Sequence, residues 1–154
     1  MKPIILRRES DKNRLKEHLN AFSEHDKYLR FGYSVNTSSI SKYIDSSYLK
    51  INNIWLAVLE NDEIIATSHV VIDPSSSLSE FGLTVNESKR GLGIGKTLFE
   101  SGLNICKENK IKKILLFCLR QNAAMRHIAT RFGLISSTDG DNEVSAHIDL
   151  VYDI

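Results

Sequence analysis

The sequence predicts an α/β chain, with strands and helices mixed along its length, and three observations carry that reading. The 154 residues are 42% hydrophobic and 25% charged, ordinary globular values for a chain long enough to bury its own core. Apolar periodicity switches from helical to strand-like and back along the chain. Only two prolines occur, and serine-rich stretches are short, so no linker, repeat or low-complexity region is expected. Residues 1–154 are therefore expected to form a single domain. A core of this size needs no disulfide, and Cys106 and Cys118 read as small core residues.

Residues 4–9, apolar then charged, predict a short strand. Ser10 or Asp11 can cap a first helix with Leu15, Leu19 and Phe22 on one face. Residues 24–36 mix His25, Asp26, Tyr28, Phe31 and Tyr33 with the breaker Gly32 and read as a loop. Asn36 or Thr37 can then start a helix carrying Ile40, Tyr43, Ile44 and Tyr48. The runs 54–59 and 64–72, separated by Asn61-Asp62 and stopped by Asp73-Pro74, predict a hairpin. Phe81–Val85 is a further strand, followed by a glycine cluster and a helix with Ile94, Leu98, Gly102 and Ile105 on one side. Lys113–Leu119 reads as a buried strand. Asn122 can cap a helix with the stripe Met125, Ile128, Ala129 and Phe132, ending at Gly133. Val144, Ala146, Ile148 and Leu150 alternate as in a last half-buried strand, and one more strand is possible at 134–138.

Charge excludes several functions. A formal net charge of +1, without a long run of like charges, argues against a nucleic-acid partner. The apolar stretch before Arg7 is too short for a signal peptide, and Ile114–Leu119 is too short to span a bilayer. A soluble, cytoplasmic protein is expected, with no membrane partner and no metal. Oligomeric state has no signature in the sequence.

Gly91, Gly93 and Gly95 fall within five residues in a chain of eight glycines, between a strand and a helix. Glycine permits positive φ and close approach to backbone amides, and the N–H groups of a helix's first turn attract anions. A phosphate or pyrophosphate is the natural ligand. The dinucleotide fingerprint G-x-G-x-x-G fails, because Lys96 stands at its third glycine and Arg120 closes the next strand where an acidic residue is wanted. Gly95-Lys96-Thr97 is like the end of a P-loop, yet Arg90 occupies its first glycine and no acidic residue ends strand 114–119 to hold magnesium. A P-loop-like nucleotide-binding protein is thus the remoter alternative.

The pattern Val85-x-x-x-x-Arg90-x-x-Gly93-x-Gly95, after a strand and opening a helix, resembles the coenzyme A pyrophosphate loop of the GNAT family of N-acetyltransferases. That loop reads Gln or Arg, two residues, Gly, one residue, then Gly or Ala. The order of elements is similar to the family's, as are Asn122 and the helix ending at Phe132-Gly133-Leu134. Tyr28-Leu29-Arg30-Phe31 also looks like a segment of one bacterial subgroup. The resemblance implies a mixed, mostly antiparallel central sheet flanked by helices. It further implies transfer of an acetyl group from acetyl-CoA to an amine of a small molecule or protein.

By the same resemblance, the amides of Arg90, Gly91, Leu92, Gly93, Ile94, Gly95 and Lys96 hold the pyrophosphate. Backbone groups of Leu83, Thr84 and Val85 line the pantetheine arm, and Asn122 contacts the cofactor or caps its helix. Glu80 is the candidate general base. Many members place a tyrosine seven residues after the asparagine to protonate the leaving thiolate, whereas this chain has Ala129. A catalytically silent acyl-CoA-binding or sensing module is therefore a second alternative. His69, His127 and His147 read as structural or surface residues, Cys118 as a core residue rather than an acyl carrier. Tyr28, Tyr33 and Tyr43 are plausible walls of an acceptor site formed by residues 24–36 and the next helix.

Overall fold

A two-residue polar turn and one long splay set the shape of the sheet. In the computed structural model, which describes residues 2–140 and 142–152, β1 (Ile4–Ile5) pairs antiparallel with β2 (Asn53–Glu60). β2 returns as β3 (Glu63–Asp73) through Asn61 and Asp62. Both turn residues have positive φ, 52° and 65°, which Asn and Asp tolerate and which matches the twist of a two-residue hairpin. β4 (Leu78–Val85) runs antiparallel to β3 along its whole length. β5 (Lys113–Leu119), β6 (Ile135–Asp139) and β7 (Glu143–Asp149) complete a seven-stranded sheet of order β1-β2-β3-β4-β5-β7-β6. The β4–β5 contact is parallel and the other pairings of the described residues are antiparallel. The mixed, mostly antiparallel sheet is as expected, and the additional strand near 134–138 is β6.

The period-2 alternation of the strands divides their side chains between two cores. On one face, α1 (Asp11–Asn20) and α3 (Thr37–Ser47) bury Leu15, Leu19, Ile40 and Ile44 against Trp55 and Ala57. On the other, α4 (Ile94–Glu108) and α5 (Ala123–Arg131) pack Leu98, Phe99, Met125 and Ala129 against Val70, Phe81 and Leu116. Phe22, expected on the first helix's apolar face, lies beyond that helix's end and is half-buried, its ring edge-on to His18 at 5.0 Å. Cys106 is fully buried, as expected, whereas Cys118 is half-buried.

One element departs from expectation. Residues 24–31, read as loop, form the helix α2 (Glu24–Phe31). Its ends are well marked: Ser23 Oγ accepts from the Asp26 N–H at 3.1 Å, and Gly32, at φ 80°, gives its N–H to the Tyr28 carbonyl at 2.8 Å. Lys27 is its only fully buried residue, and its apolar residues Tyr28, Leu29 and Phe31 fall in its last four positions, too short a run to show a helical period. It lies instead along the edge of the cavity described next. Among the described residues no helix is long and apolar enough to cross a membrane.

Candidate functional site

β4 and β5 begin as neighbours and then part. Register pairs join Leu78 to Lys113, Ser79 to Ile114 and Glu80 to Leu115, and none joins them beyond. β4 continues to Val85 on the arm of β3, and β5 continues to Leu119 on the arm of β7. The Asn86 N–H goes to the Ile65 carbonyl at 2.8 Å, so strand alternation turns the backbone groups of Leu83 and Val85 the other way, into the gap. Buried backbone donors and acceptors seek partners, and here the parted strand supplies none.

At the mouth of this gap the chain turns through a single 3-10 turn, Glu87–Lys89, into the glycine loop and then α4. Gly91 and Gly93 both have φ 80°, and an added Cβ would meet nothing within 4 Å at either. The two glycines thus serve backbone shape and leave open space above the amides. Gly93 is the N-cap of α4 and no side chain caps that helix, leaving first-turn N–H groups for an outside acceptor. The loop is therefore an open cradle of donors, which suits a pyrophosphate.

Gap and loop together border a cleft of about 700 Å³. Of the predicted cofactor residues, Leu83, Thr84, Val85, Arg90, Gly91, Gly93, Ile94, Gly95, Lys96 and Asn122 line it. Leu92 does not: its side chain is 66% exposed. Arg90 is less free than a bare cation, since its Nη2 pairs with Asp26 at 3.2 Å and its Nε donates to the Val85 carbonyl at 3.1 Å. This ties the loop to α2 and β4. Asn122 holds its helix, accepting from the Met125 N–H at 3.1 Å while its Nδ2 donates to the Leu29 carbonyl at 3.4 Å. The Thr84 hydroxyl faces away from the α4 side, bonded to Thr67 and, at 2.8 Å, to His18 Nε2. Burial lowers the His18 pKa to about 4, so this histidine stands neutral.

A second cavity of about 290 Å³ opens across the splay, sharing Leu29, Arg30, Phe31, Leu83, Asn122 and Met125 with the first. Glu80 lies in its wall and is exposed. Tyr43 lines it too, whereas Tyr28, Tyr33 and His147 line neither cavity. His127 is exposed at the edge of the cleft. Cys118 borders the second cavity, but burial pushes its thiol pKa up, which withholds the nucleophilic thiolate.

A hydrogen-bonded chain crosses this cavity that sequence alone did not reveal. Arg30 Nη2 donates to Tyr43 Oη at 2.8 Å, Tyr43 Oη donates to His69 Nδ1, and His69 Nε2 donates to Asn53 Oδ1 at 2.8 Å. The direction follows from chemistry: arginine only donates, so the phenol passes its own proton on and His69 carries its hydrogen on Nε2. His69 stacks on Trp55 at 4.3 Å between ring centroids. Burial, with the nearby Arg30 charge, lowers its pKa to about 3. His69 is thus a neutral structural relay, in keeping with its sequence reading. Burial also raises the Tyr43 pKa. Ala129, at the family's usual tyrosine position, is packed in the core at 3% exposure.

The fold has counterparts among solved structures. The GNAT domain of PAT from S. lividans superposes with a TM-score of 0.82 at 20% identity, covering 96% of this chain and 89% of that one. Ribosomal-protein-alanine N-acetyltransferase from Brucella melitensis gives 0.77 at 15% identity, covering 97% and 100%. PaiA N-acetyltransferase from Thermoplasma acidophilum, in complex with coenzyme A, gives 0.72 at 20%, covering 97% and 100%. No curated protein matches the sequence. The model of the acetyltransferase (GNAT) family matches residues 17–134, which include the splayed strands, the glycine loop and α5. The chain belongs to the GNAT acetyltransferase family.

Proposed function

We propose that this protein transfers an acetyl group from acetyl-CoA to the amine of a small molecule or protein by direct attack. The observation that carries the reading is the splay of β4 from β5 with the uncapped, glycine-shaped start of α4 at its mouth. Family membership supports acyl-CoA as donor, and the relative from Thermoplasma acidophilum holds coenzyme A in the same fold. When bound, acetyl-CoA would supply a thioester at whose carbonyl carbon the amine's C–N bond forms as C–S breaks, the leaving thiolate taking a proton from water.

The chain's own residues bind and orient. The amides of residues 91–96 receive the pyrophosphate, helped by the positive end of α4. Leu83 offers its backbone N–H and C=O, and Val85 its N–H, to the amides of the pantetheine arm, as a missing strand would. Asn122 and Met125 separate the donor cleft from the second cavity, in which the acceptor sits. A protonated amine must lose its proton before attack, and Glu80, exposed in that cavity, takes it directly or through water. Positioning supplies much of the acceleration, so the absence of a tyrosine at 129 is tolerated.

Calorimetric titration with acetyl-CoA, and in parallel with ATP and magnesium, tests the reading. Acetyl-CoA is expected to bind and ATP not to. ATP binding alone would overturn it in favour of a P-loop-like role. Acetyl-CoA binding without transfer to any amine in a panel would assign a silent acyl-CoA-binding module instead.

A further inference from the structure

We propose that the second cavity selects acceptors that carry a carboxylate beside the amine, α-amino acids with an apolar side chain, and that Arg30 is the residue that reads the carboxylate. This inference rests on the acetyltransferase reading for its consequence, though the cavity itself is tested separately below.

The Arg30 guanidinium is held in place from three sides. It lies 4.9 Å from the centroid of the Phe31 ring and 5.6 Å from that of Tyr43. The third side is Gly82, where a Cβ would fall 2.2 Å from Arg30 Nη2 and 2.4 Å from Cζ. Gly82 has ordinary negative-φ backbone, so its missing side chain serves space rather than conformation. The sequence has, in effect, cleared a seat for the guanidinium on β4.

Seated there, the cation is underused. Of five N–H donors it gives one to the described residues, to Tyr43 Oη. No carboxylate of the described residues lies within ion-pair distance, although Arg8, Arg14 and Arg90 each have one. A half-buried guanidinium loses hydration that only an anion or strong acceptors restore, and its planar fork fits a carboxylate through two parallel bonds. Arg30 lines both cavities, so an anion on it sits beside the place where donor and acceptor meet.

The rest of the cavity completes the selection. Glu80 and Glu143 line it, and both are exposed to it. A small space of about 290 Å³ that holds one cation and two carboxylates complements a zwitterion. The acceptor's ammonium meets the glutamates and its carboxylate meets Arg30. A plain amine leaves Arg30 unmet and is repelled by it. Phe117 and Val71, 50% and 37% exposed on the same wall, offer apolar contact to the side chain.

The test is calorimetric titration of the protein, with and without saturating coenzyme A, using L-phenylalanine and L-leucine against phenethylamine and isopentylamine. These amines are the same molecules without the carboxylate. Each amino acid is expected to bind at least tenfold more tightly than its amine. Arg30→Gln should bring that ratio to within about twofold of one. Gly82→Ala should do the same with the arginine itself retained, because its Cβ pushes the guanidinium aside and leaves the backbone unstrained. Equal binding of acid and amine by the wild type, a preference that survives both substitutions, or no binding of either amino acid would each overturn the proposal. Failure of coenzyme A to bind would overturn the acetyltransferase reading instead, and the titrations without it still decide the cavity.

Discussion

Gly93 combines a φ of 80° with open space where a side chain would stand. An L-residue there pays roughly 1–2 kcal/mol in backbone energy, which an exposed loop of an otherwise intact domain can absorb. Gly93→Glu also places a carboxylate at the start of α4, over the amides proposed to receive the pyrophosphate. Acetyl-CoA affinity should fall at least ~100-fold, since a charge-assisted contact is lost and a like charge gained, while the circular dichroism spectrum stays unchanged. Unaltered affinity in the folded variant removes the loop from cofactor binding. At Glu80 the expected separation is kinetic. Glu80→Gln should lower kcat by about 100-fold, the usual range for a lost general base, with the acetyl-CoA Kd moving less than about twofold. A kcat equal to the wild type's across pH would dismiss Glu80 as the base. Ala129 illustrates the limit at this scale: the residue type alone removes one acid without pointing to a replacement.

At the scale of elements, α4 is held against β4 by a missing atom. A Cβ at Gly102 would lie 2.6 Å from the Phe81 ring, which is itself 5.2 Å from Phe99 in the core. Gly102→Ala gains about 1 kcal/mol of helix propensity but forces the buried ring to move, at a cost of about 1–3 kcal/mol. The net should be destabilisation by about 1 kcal/mol, read as a lower denaturant midpoint with unchanged slope. Most elements were legible because their apolar residues face a core: β5 was expected at Lys113–Leu119 and occupies those residues. α2 was not legible, because its apolar residues Tyr28, Leu29 and Phe31 crowd into its last four positions, too short a run to show a helical period, and Leu29 and Phe31 border the cavities. Ser23 three residues before Asp26, with Gly32 after Phe31, was the available signal. The shape of the glycine loop was legible because two of its clustered glycines take positive φ, for which glycine is the usual residue. The Arg30–Tyr43–His69–Asn53 chain was not, since its members come from α2, α3, β3 and β2 and no local spacing joins them.

For the whole molecule, two buried histidines set the response to acid. His18 and His69 have pKa values lowered by burial to about 4 and about 3, against 6.5 when exposed. As pH falls below 6.5 the unfolded chain takes up protons first, which draws the equilibrium toward it. Stability is therefore complete above about pH 6.5 and declines toward pH 4, with a slope of up to ~1.4 kcal/mol per pH unit for each histidine. Thermal unfolding between pH 7 and 4.5 should show Tm falling steadily, and His69→Asn should flatten the slope. A Tm independent of pH over that range would mean that the two imidazoles are reached by water.

The parting of β4 from β5 also has a mechanical side. Three residue pairs hinge a four-stranded leaf to a three-stranded one, and past them each leaf ends in an edge. A ligand that takes up the backbone of Leu83 and Val85 acts as the staple between the leaves. Its binding should slow amide exchange well away from its own contacts, in β3 and β7 alike, because motions that were separate become one.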